Sequence, residues 1–585
     1  MDNLKVLKIV DFVQNESQIV ETLKDLENWK SIPLLDHSML HSFQDNTLVR
    51  FRGMVQDMLD NETYLEKYKV NGEGGSSRVQ DGKFRDIFVL GNKETVDHND
   101  LENCFGERRS LFVISLPGLN DWAKTTQPIS PPTQSASESS GQKRSAEDSE
   151  SMEQDQEMEE TQTPNKRIKG SIAVNEEAAP KGLSAEYHLN SPIPDRPSKA
   201  CMVKVYSDLD SHTLNSVVDV IGFLSVDPAM DISTADVEMN EDIDGILAAN
   251  PPPSLIPRIH AVAIRRLKHS NPLLDTSLHN FEEHPLSFDV VYKDLLIVLT
   301  QCLFGDTLAA EYLLAHLIST VYVRTELETL GQFTLNLCSI PQEVLPFFTK
   351  TLYEIIEMIT PVSHYLPMTL ENMNTLQFIP KKDYQTNKLV SGILQLAPHT
   401  HLVLDETAMK AGKLENNGVL GMQFMSHLIK TQQLKCDFQY YQLDFHSNLA
   451  ILILSEGRSM LPNNSQVPIQ PSDNDTVKLI EETLKSAKFY LRTKLNSIRR
   501  YLTLCKVQEF VMNDVEGKMI EDDFVEMRKA NKNIGPEQLH NLLVLSRLLG
   551  IGVGQTALSK DSWLKAKDME RQREERLAKL PKRKV

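Results

Sequence analysis

The chain has 585 residues, which at roughly 150 residues per domain predicts about three to four domains. Its 62 Lys and Arg against 81 Asp and Glu leave a net charge of −19, which excludes a generic non-specific DNA coater because phosphate backbones repel a polyanion. Six cysteines without a C-x-x-C pair argue against a zinc module or a disulfide scaffold, and no apolar run approaches the ~20 residues of a membrane span, so we expect a soluble intracellular chain.

Residues 1–45 carry apolar side chains near helical spacing, including Ile9, Phe12 and Leu23, and we expect a short helical cap there. Short strand patterns follow in 46–123 and resume in 200–250, at Leu48–Val55, Lys83–Leu90, Leu111–Leu116, Cys201–Tyr206 and Val217–Val226. We interpret them as one small antiparallel OB-like barrel. The alternative is two unrelated β units joined by a linker.

Between these strand patterns, residues 124–199 are rich in Ser, Pro, Gln and Glu. Ser145–Glu160 contains eight acidic residues in sixteen and no basic one. Such a stretch cannot bury enough apolar surface to offset the entropy lost on ordering. We therefore predict a disordered insertion within the barrel.

From residue 252 the pattern changes to alternating helices and buried strands. We expect a buried helical pair over Val290–Tyr322, a strand over Gln332–Ser339 and a helix over Val344–Ile359. Continuous apolar runs at His401–Leu404 and Leu449–Leu454 are typical of strands buried on both faces of a parallel sheet. This predicts a parallel α/β core over 252–475.

Further helical patterns follow the predicted core. They form a helical lid region over 476–570 and a basic tail over 571–585, and they are Lys478–Met512, Pro536–Leu549 and the charged Ser559–Lys579. Alternating strands and helices followed by helices alone imply a doubly wound core with a lid. The predicted fold class is α/β plus a small all-β domain.

Four segments of the second half are similar to the AAA+ module of the minichromosome maintenance (MCM) helicase subunits. Ser391–Ala397 followed by His401–Glu406 resembles the segment that leads into their Walker B strand. Asp522–Lys529 followed by Ile534–Leu549 resembles their lid helices in the same order. The resemblance implies a degenerate AAA+ (P-loop-type) core with a helical lid, behind an OB-like barrel.

The whole chain resembles the family of MCM-binding proteins, eukaryotic nuclear partners of the MCM complex. The shared stretches are Phe51–Met58, Val203–Asp208, Leu224–Pro228, Ala309–Tyr322, Leu454–Pro462 and Glu521–Lys529. The resemblance implies a nuclear protein that binds MCM subunits and regulates DNA replication by unloading, assembling or protecting them. It also implies a role in sister chromatid cohesion.

The phosphate-binding loop of an ATPase is missing. No G-x-x-x-x-G-K-[ST] occurs, although backbone N–H groups and a lysine must cradle the phosphates. The equivalent turn begins at Ser339 and includes Pro341. The resemblance aligns Leu345 with the family's phosphate-binding lysine and Pro346 with the residue whose hydroxyl binds magnesium. An alternative alignment on Gly305–Tyr312 puts Glu311 there. In both alignments the cradle is lost, because leucine cannot neutralise a triphosphate and glutamate repels it.

Other positions of the expected ATPase site also depart from the pattern of an active enzyme. Asp405 and Glu406 keep an acidic pair, but Ser455 replaces the sensor asparagine and Glu537 the lid arginine. We therefore predict no catalytic residue, no cofactor, no metal and no enzyme activity. The alternatives are an active AAA+ ATPase with an unorthodox phosphate loop, and a single-stranded DNA-binding barrel acting through exposed aromatic side chains.

That barrel function would use Phe51, Phe84 and Phe88, although such spacing is typical of core residues, and we expect no direct DNA binding. Two basic clusters instead suit the acidic grooves of nuclear import receptors. They are Lys166, Arg167 and Lys169 in the insertion, and Lys582, Arg583 and Lys584 in the tail.

Overall fold

A computed structural model describes the chain at residues 7–35, 43–72, 76–91, 94–98, 100–124, 190–225, 256–274, 287–325, 328–530, 532 and 534–580. Within these ranges, no helix combines the length and the apolar character needed to cross a bilayer. Nor do three His, Cys, Asp or Glu side chains of these ranges group in a way that would hold a metal ion. All six cysteines are free thiols, and only Cys104 is exposed.

The predicted helical cap is present as three short helices, α1 (Ile9–Gln14), α2 (Glu16–Leu23) and α3 (Leu26–Ser31). Phe12 of α1 is fully buried, with its ring 5.3 Å from that of Phe84 and 5.6 Å from that of Phe223. Edge-to-face aromatic contacts of this kind fix the cap to the β-sheet below it.

The first sheet has seven strands. They are β1 (Leu48–Asn71), β2 (Ser77–Asp81), β3 (Thr95–Val96), β4 (Cys104–Ile114), β5 (Ala200–Val205), β6 (Val217–Ser225) and β7 (Arg258–Arg266). Five of them pair in the order β1-β4-β5-β7-β6, and β6 pairs with β1 again, so the sheet closes into a barrel. Strands β5 and β7 are parallel, and the other neighbours in the barrel are antiparallel.

Strands from both sides of the predicted insertion belong to this barrel. Strand β4 pairs with β5 from Arg109 opposite Val205 to Ile114 opposite Ala200. Two separate β units are therefore excluded. Strand β7 lies beyond residue 252, where the sequence had placed the start of the α/β core. It belongs to the barrel because it pairs with β5 and β6.

The strand predicted over Lys83–Leu90 is wrong, since these residues are irregular. Phe84 has a φ of +62°, and it is 98% buried, with its ring 4.8 Å from that of Tyr206. A left-handed residue interrupts the pleat, so the alternation seen in the sequence reflects separate inward contacts and not a strand.

Residues 190–199 of the predicted insertion are described and packed. Ile193 is 99% buried, and Asn190 donates from Nδ2 to the carbonyl of Leu389 at 2.7 Å. The rest of the insertion, 125–189, lies outside the described residues.

The α/β core contains five parallel strands. They are β10 (Leu335–Cys338), β11 (Ser363–Pro367), β14 (His401–Asp405), β17 (Ala450–Leu454) and β18 (Ser465–Pro468), in the order β11-β14-β17-β10-β18. Each of the predicted strands at 332–339, 401–404 and 449–454 lies here. The main chain of β14 and β17 is buried on both faces, as the continuous apolar runs predicted.

Two smaller sheets accompany the core. A hairpin pairs β8 (Val323–Arg324) with β9 (Thr329–Leu330). A four-stranded sheet has the order β13-β12-β15-β16, built from β12 (Lys381–Asp383), β13 (Lys388–Val390), β15 (Gln433–Asp437) and β16 (Gln442–His446).

Helices cover the core and follow it, near the predicted positions. They are α4 (Phe288–Cys302), α5 (Thr307–Ile318), α6 (Leu345–Ile359), α7 (Leu370–Thr375), α8 (Asn416–Thr431), α9 (Asn474–Lys478), α10 (Ile480–Arg492), α11 (Leu495–Val507), α12 (Asp514–Ala530), α13 (Pro536–Gly552) and α14 (Lys560–Ala578). The largest hydrophobic cluster joins α4, α5, α6 and the C-terminal helices to one face of the sheet. The predicted lid region therefore shares one core with the sheet.

A polar junction fixes the barrel to the α/β core. Asn120 donates from its backbone to Pro361 O at 2.9 Å and from Nδ2 to Thr360 O at 2.7 Å. Trp122 donates from Nε1 to Thr360 O at 3.1 Å, and Arg499 covers its ring at 3.8 Å. These contacts bridge more than 200 positions of sequence and set the place of the barrel beside α6.

Candidate functional site

The carboxyl edge of the parallel sheet gathers most of the residues predicted for a nucleotide site. Strands β10 and β14 flank β17, and parallel strands end at one edge. Ser455, after β17, donates from Oγ to Oδ1 of Asn336 on β10 at 2.8 Å. Ser339, after β10, donates its backbone N–H to the carbonyl of Glu456 at 3.2 Å. We call Ser339, Asp405, Glu406 and Ser455 the strand-end cluster.

The turn after β10, predicted as the equivalent of a phosphate-binding loop, packs against the main core. Its side chains Ile340 and Val344 are 95% and 94% buried in the main core. Pro346 is the second residue of α6 and has no N–H to donate, at the helix end where an anion would need one. The turn from Ser339 to Pro346 contains a glutamate and no basic residue. It therefore packs as a structural turn.

Ser339 has a left-handed φ of +61°, a conformation that a glycine would adopt without steric cost. The turn keeps a sharp reversal after the strand. It lacks the glycines that let a backbone approach phosphate closely, and Pro341 and Pro346 further reduce its N–H donors.

Asp405 is 97% buried and engaged on both carboxylate oxygens. The Tyr365 hydroxyl donates to Oδ2, and Thr407 donates to Oδ1 from its backbone N–H at 3.0 Å and from Oγ1 at 2.5 Å. Burial, and secondly the hydrogen bond to Asp405, raise the pKa of Tyr365 above its ordinary value. Asp405 therefore closes the turn after β14.

Glu406 is held in the same way. Its carboxylate accepts from Ser459 Oγ at 2.7 Å and from the backbone N–H of Met460 at 3.2 Å. It anchors the loop after β17 to the end of β14, whereas Asp405 is bonded to Tyr365 of β11 and to Thr407 of its own turn. Each carboxylate of the pair is thus engaged in hydrogen bonds that close a turn or a loop.

The two sensor positions are separated in the fold. Ser455 is 98% buried, and its Oγ also lies 2.8 Å from the carbonyl oxygen of Gly457. Glu537 is exposed in the first turn of α13, and α13 packs on α4, α5 and α14. The alternative phosphate loop at Gly305–Tyr312 is largely helical, and Glu311 forms an ion pair with Lys565 at 2.7 Å.

The three aromatic side chains considered for DNA binding differ in their exposure to solvent. Phe51 and Phe84 are 96% and 98% buried, whereas Phe88 is half-buried. The import residues Lys166, Arg167, Lys169, Lys582, Arg583 and Lys584 lie outside the described residues.

One polar cluster has no counterpart in the sequence predictions. The Lys506 Nζ atom of α11 lies 2.7 Å from Nε2 of His401, the first residue of β14, and the His316 ring centroid lies 5.8 Å from that of His401. Burial lowers the pKa of Lys506 to about 7 and that of His316 to about 4, and it lowers that of His401 well below its ordinary value. Only the placement of two residues in the sequence could have indicated this cluster. His401 begins a buried apolar run, and Lys506 follows Cys505 on the buried side of α11.

The comparisons with known proteins extend over nearly all of the chain. A family model described as mini-chromosome maintenance replisome factor matches residues 19–577. A mini-chromosome maintenance complex-binding protein of Drosophila melanogaster is 48% identical, over 97% of this chain and 96% of the relative. Proteins with the same name from Homo sapiens and Bos taurus are 37% and 38% identical, each over 95% of this chain and 92% of the relative. The chain belongs to the mini-chromosome maintenance replisome factor family.

Proposed function

We propose that the chain is a non-catalytic binding protein of the MCM complex. The observation that carries the proposal is the similarity to proteins named for MCM-complex binding, which covers barrel, core and C-terminal helices together. A partner that keeps its whole architecture keeps its docking surfaces as well. MCM subunits are therefore the expected partners.

A finer reading of the fold supports this proposal. We interpret the closed five-stranded barrel as OB-like and the parallel sheet as a degenerate AAA+ core. The positions of three segments favour the AAA+ interpretation of the parallel sheet. The loop after β10, the acidic pair after β14 and Ser455 after β17 lie at the same edge of that sheet. AAA+ modules assemble side by side through extended surfaces, so a relative without a nucleotide site is suited to dock where a subunit would sit.

The proposal includes regulation of DNA replication in the nucleus. Binding to MCM subunits would serve to unload, assemble or protect them and to support sister chromatid cohesion. Import receptors would bind the basic clusters at 166–169 and 582–584. These finer roles rest on the family resemblance and on the basic sequences, and they extend the binding function.

The binding function is tested with the purified full chain and individual purified MCM subunits in gel filtration. We expect co-elution with at least one subunit and the same elution profile with and without ATP and magnesium, since the turn at Ser339–Pro346 has no phosphate cradle. Failure to co-elute with any single subunit and with the assembled complex would contradict the proposal.

The absence of catalysis is tested by isothermal titration of the full chain with ATP and magnesium. We expect no saturable heat, because Leu345 and Pro346 occupy the positions that would hold phosphate and magnesium. Saturable binding together with turnover that is lost in Glu406→Gln would favour the ATPase alternative instead.

A further inference from the structure

The barrel carries a second concave feature, far along the sequence from the strand-end cluster. Strand β1 continues past the barrel and forms a ribbon with β2, β3 and the first half of β4. A cavity of about 310 Å³ opens beside this ribbon. We call it the ribbon pocket, and the lining residues used below are Tyr64, Arg85, Asp86, Phe88, Phe105 and Arg108.

The floor of the ribbon pocket is a buried ionic cluster. The Asp86 carboxylate lies 3.3 Å from Lys204 Nζ, 3.4 Å from Arg258 and 3.3 Å from His260 Nε2. These cationic partners hold the pKa of Asp86 well below its ordinary value, against burial, which acts to raise it. The carboxylate is therefore charged and fully compensated, and it does not repel an anion above it.

A second carboxylate, Glu62, pairs with the lining residue Arg108 and is compensated in the same way. Glu62 accepts from Arg108 Nε at 3.0 Å and from Ser110 Oγ at 2.7 Å, and it lies 3.5 Å from Lys204 Nζ. Arg108 also covers the Tyr64 ring at 5.4 Å and donates to the carbonyl of Arg85 at 3.2 Å. The wall is rigid, and it holds the backbone of Arg85 in place.

Arg85 is the uncompensated group. Its Nε is buried and has no hydrogen-bond partner among the described residues, and no ion pair of those residues includes its guanidinium. With Arg108, Lys204 and Arg258 it makes four cations around the two carboxylates Glu62 and Asp86. A buried donor without a partner is costly, and a guanidinium fork matches a carboxylate geometrically.

Aromatic surface surrounds this cation. The Phe88 ring packs 4.7 Å from that of Tyr68 and 5.7 Å from that of His98, while Phe105 is 64% exposed. Val79 of β2 is exposed on the same ribbon, and Val89 and Leu90 are exposed in the irregular segment that carries Phe88. Aromatic side chains beside an arginine are typical of the centre of a protein interface.

The surroundings disfavour a nucleic acid. Asp81 and Glu107 are exposed on the ribbon strands that border the pocket, so a phosphate chain leaving it would meet further negative charge. Nucleic-acid affinity depends on many phosphate contacts, whereas this pocket offers one free guanidinium. A peptide needs only one carboxylate to pair with Arg85, and apolar contacts supply the remaining binding free energy.

We propose that the ribbon pocket binds a short segment of a partner protein in which an aspartate or glutamate lies next to an aromatic or aliphatic residue. The carboxylate pairs with Arg85, and the apolar side chain packs on Phe88 and Phe105. The proposal concerns a site distinct from the strand-end cluster, and it does not depend on which protein supplies the segment.

The test uses the full chain and a phage library of random twelve-residue peptides, followed by fluorescence anisotropy with the strongest selected peptide. We expect selected peptides to carry an acidic residue within three positions of an aromatic residue or leucine. Arg85→Gln and Phe105→Ser should each weaken the peptide at least about tenfold, as should replacing its acidic residue by the amide. Arg78→Gln, a half-exposed arginine of β2 paired with Glu94, is the matched control and should leave affinity unchanged.

If Arg85→Gln lowers the thermal unfolding midpoint, the affinity of Phe105→Ser for the peptide is the test of the proposal. The Phe105 side chain is exposed and contributes little to the stability of the fold. The proposal is overturned if the library returns no peptide that binds more tightly than about 100 μM, or if binding ignores both pocket variants. It is also overturned if a twenty-nucleotide oligo-dT binds the wild type and loses affinity in Arg85→Gln, since the site would then recognise nucleic acid.

Discussion

Individual buried polar residues stabilise the strand-end cluster. Glu406 is 92% buried and accepts hydrogen bonds from Ser459 Oγ and from the backbone N–H of Met460. We expect Glu406→Ala to lower the free energy of unfolding by about 1–3 kcal/mol, because buried donors lose their acceptor. Urea unfolding of Glu456→Ala, an exposed neighbour, should stay within about 0.5 kcal/mol of wild type. Equal stability of Glu406→Ala and wild type would contradict the structural role.

The pair of Lys506 and His401 makes stability depend on pH. Burial lowers the pKa of Lys506 to about 7, so between that pH and its ordinary value near 10.4 the unfolded chain holds a proton that the folded chain has released. Stability from this group therefore rises with pH across that window. Lys506→Met should reduce the rise of the thermal midpoint between pH 7 and pH 10, whereas exposed Lys485→Met should not.

The histidines act at lower pH with the same sign. Burial lowers the pKa of His316 to about 4 and that of His399 to about 3, so the unfolded chain takes up protons first as the pH falls below about 6.5. Stability should decline below that pH in wild type and in Lys506→Met alike. An identical pH profile of Lys506→Met and wild type above pH 7 would show that the lysine is solvated.

Among the elements, the turn that carries Asn120 joins barrel to core. Its Nδ2 donates to Thr360 O and to Ser363 Oγ at 3.0 Å, and its Oδ1 accepts from Arg196 at 3.1 Å. We expect Asn120→Ala to cost about 1–3 kcal/mol, since the Thr360 carbonyl keeps only its bond from Trp122 and the Arg196 guanidinium loses an acceptor, and to expose the junction to limited proteolysis. Asp121→Ala removes only an exposed ion pair with Lys124 and is the control. Unchanged cleavage of Asn120→Ala would exclude the junction as a determinant.

At the scale of the whole molecule, the segments on both sides of residues 125–189 are packed into the fold. Arg196 lies within hydrogen-bond distance of Asn120, and Asn190 is bound to Leu389, so both flanks are held by packed residues. Replacing 125–189 by a Gly/Ser linker should therefore preserve the thermal midpoint and co-elution with MCM subunits. Nuclear import should fall, because Lys166, Arg167 and Lys169 are removed. Loss of MCM co-elution would place binding residues in the insertion.

The strand-end cluster shows how far sequence reasoning extends. The succession of β10, β14 and β17 along the chain and the positions of Ser339, Asp405, Glu406 and Ser455 after them follow from periodicity and family motifs, because both are local along the chain. The order of the strands within the sheet does not. Their hydrogen-bond partners Tyr365 and Ser459 are 40 and 53 positions away, and no local pattern selects them. The missing lysine was visible in the sequence, but the apolar packing of Ile340 and Val344 in its place was not.

By itself, the sequence determined the alternation of helices and strands, the acidic composition of the insertion, the absence of a G-x-x-x-x-G-K-[ST] motif and the family, since each depends on residue type or spacing within short segments. Tertiary structure alone decided that β7 closes the barrel, that Lys83–Leu90 is irregular around Phe84, and that Lys506 meets His401. The physical reason is that pairing, burial and the pKa shifts they produce depend on neighbours often more than 50 positions apart, and competition among such contacts is settled only when the whole chain packs.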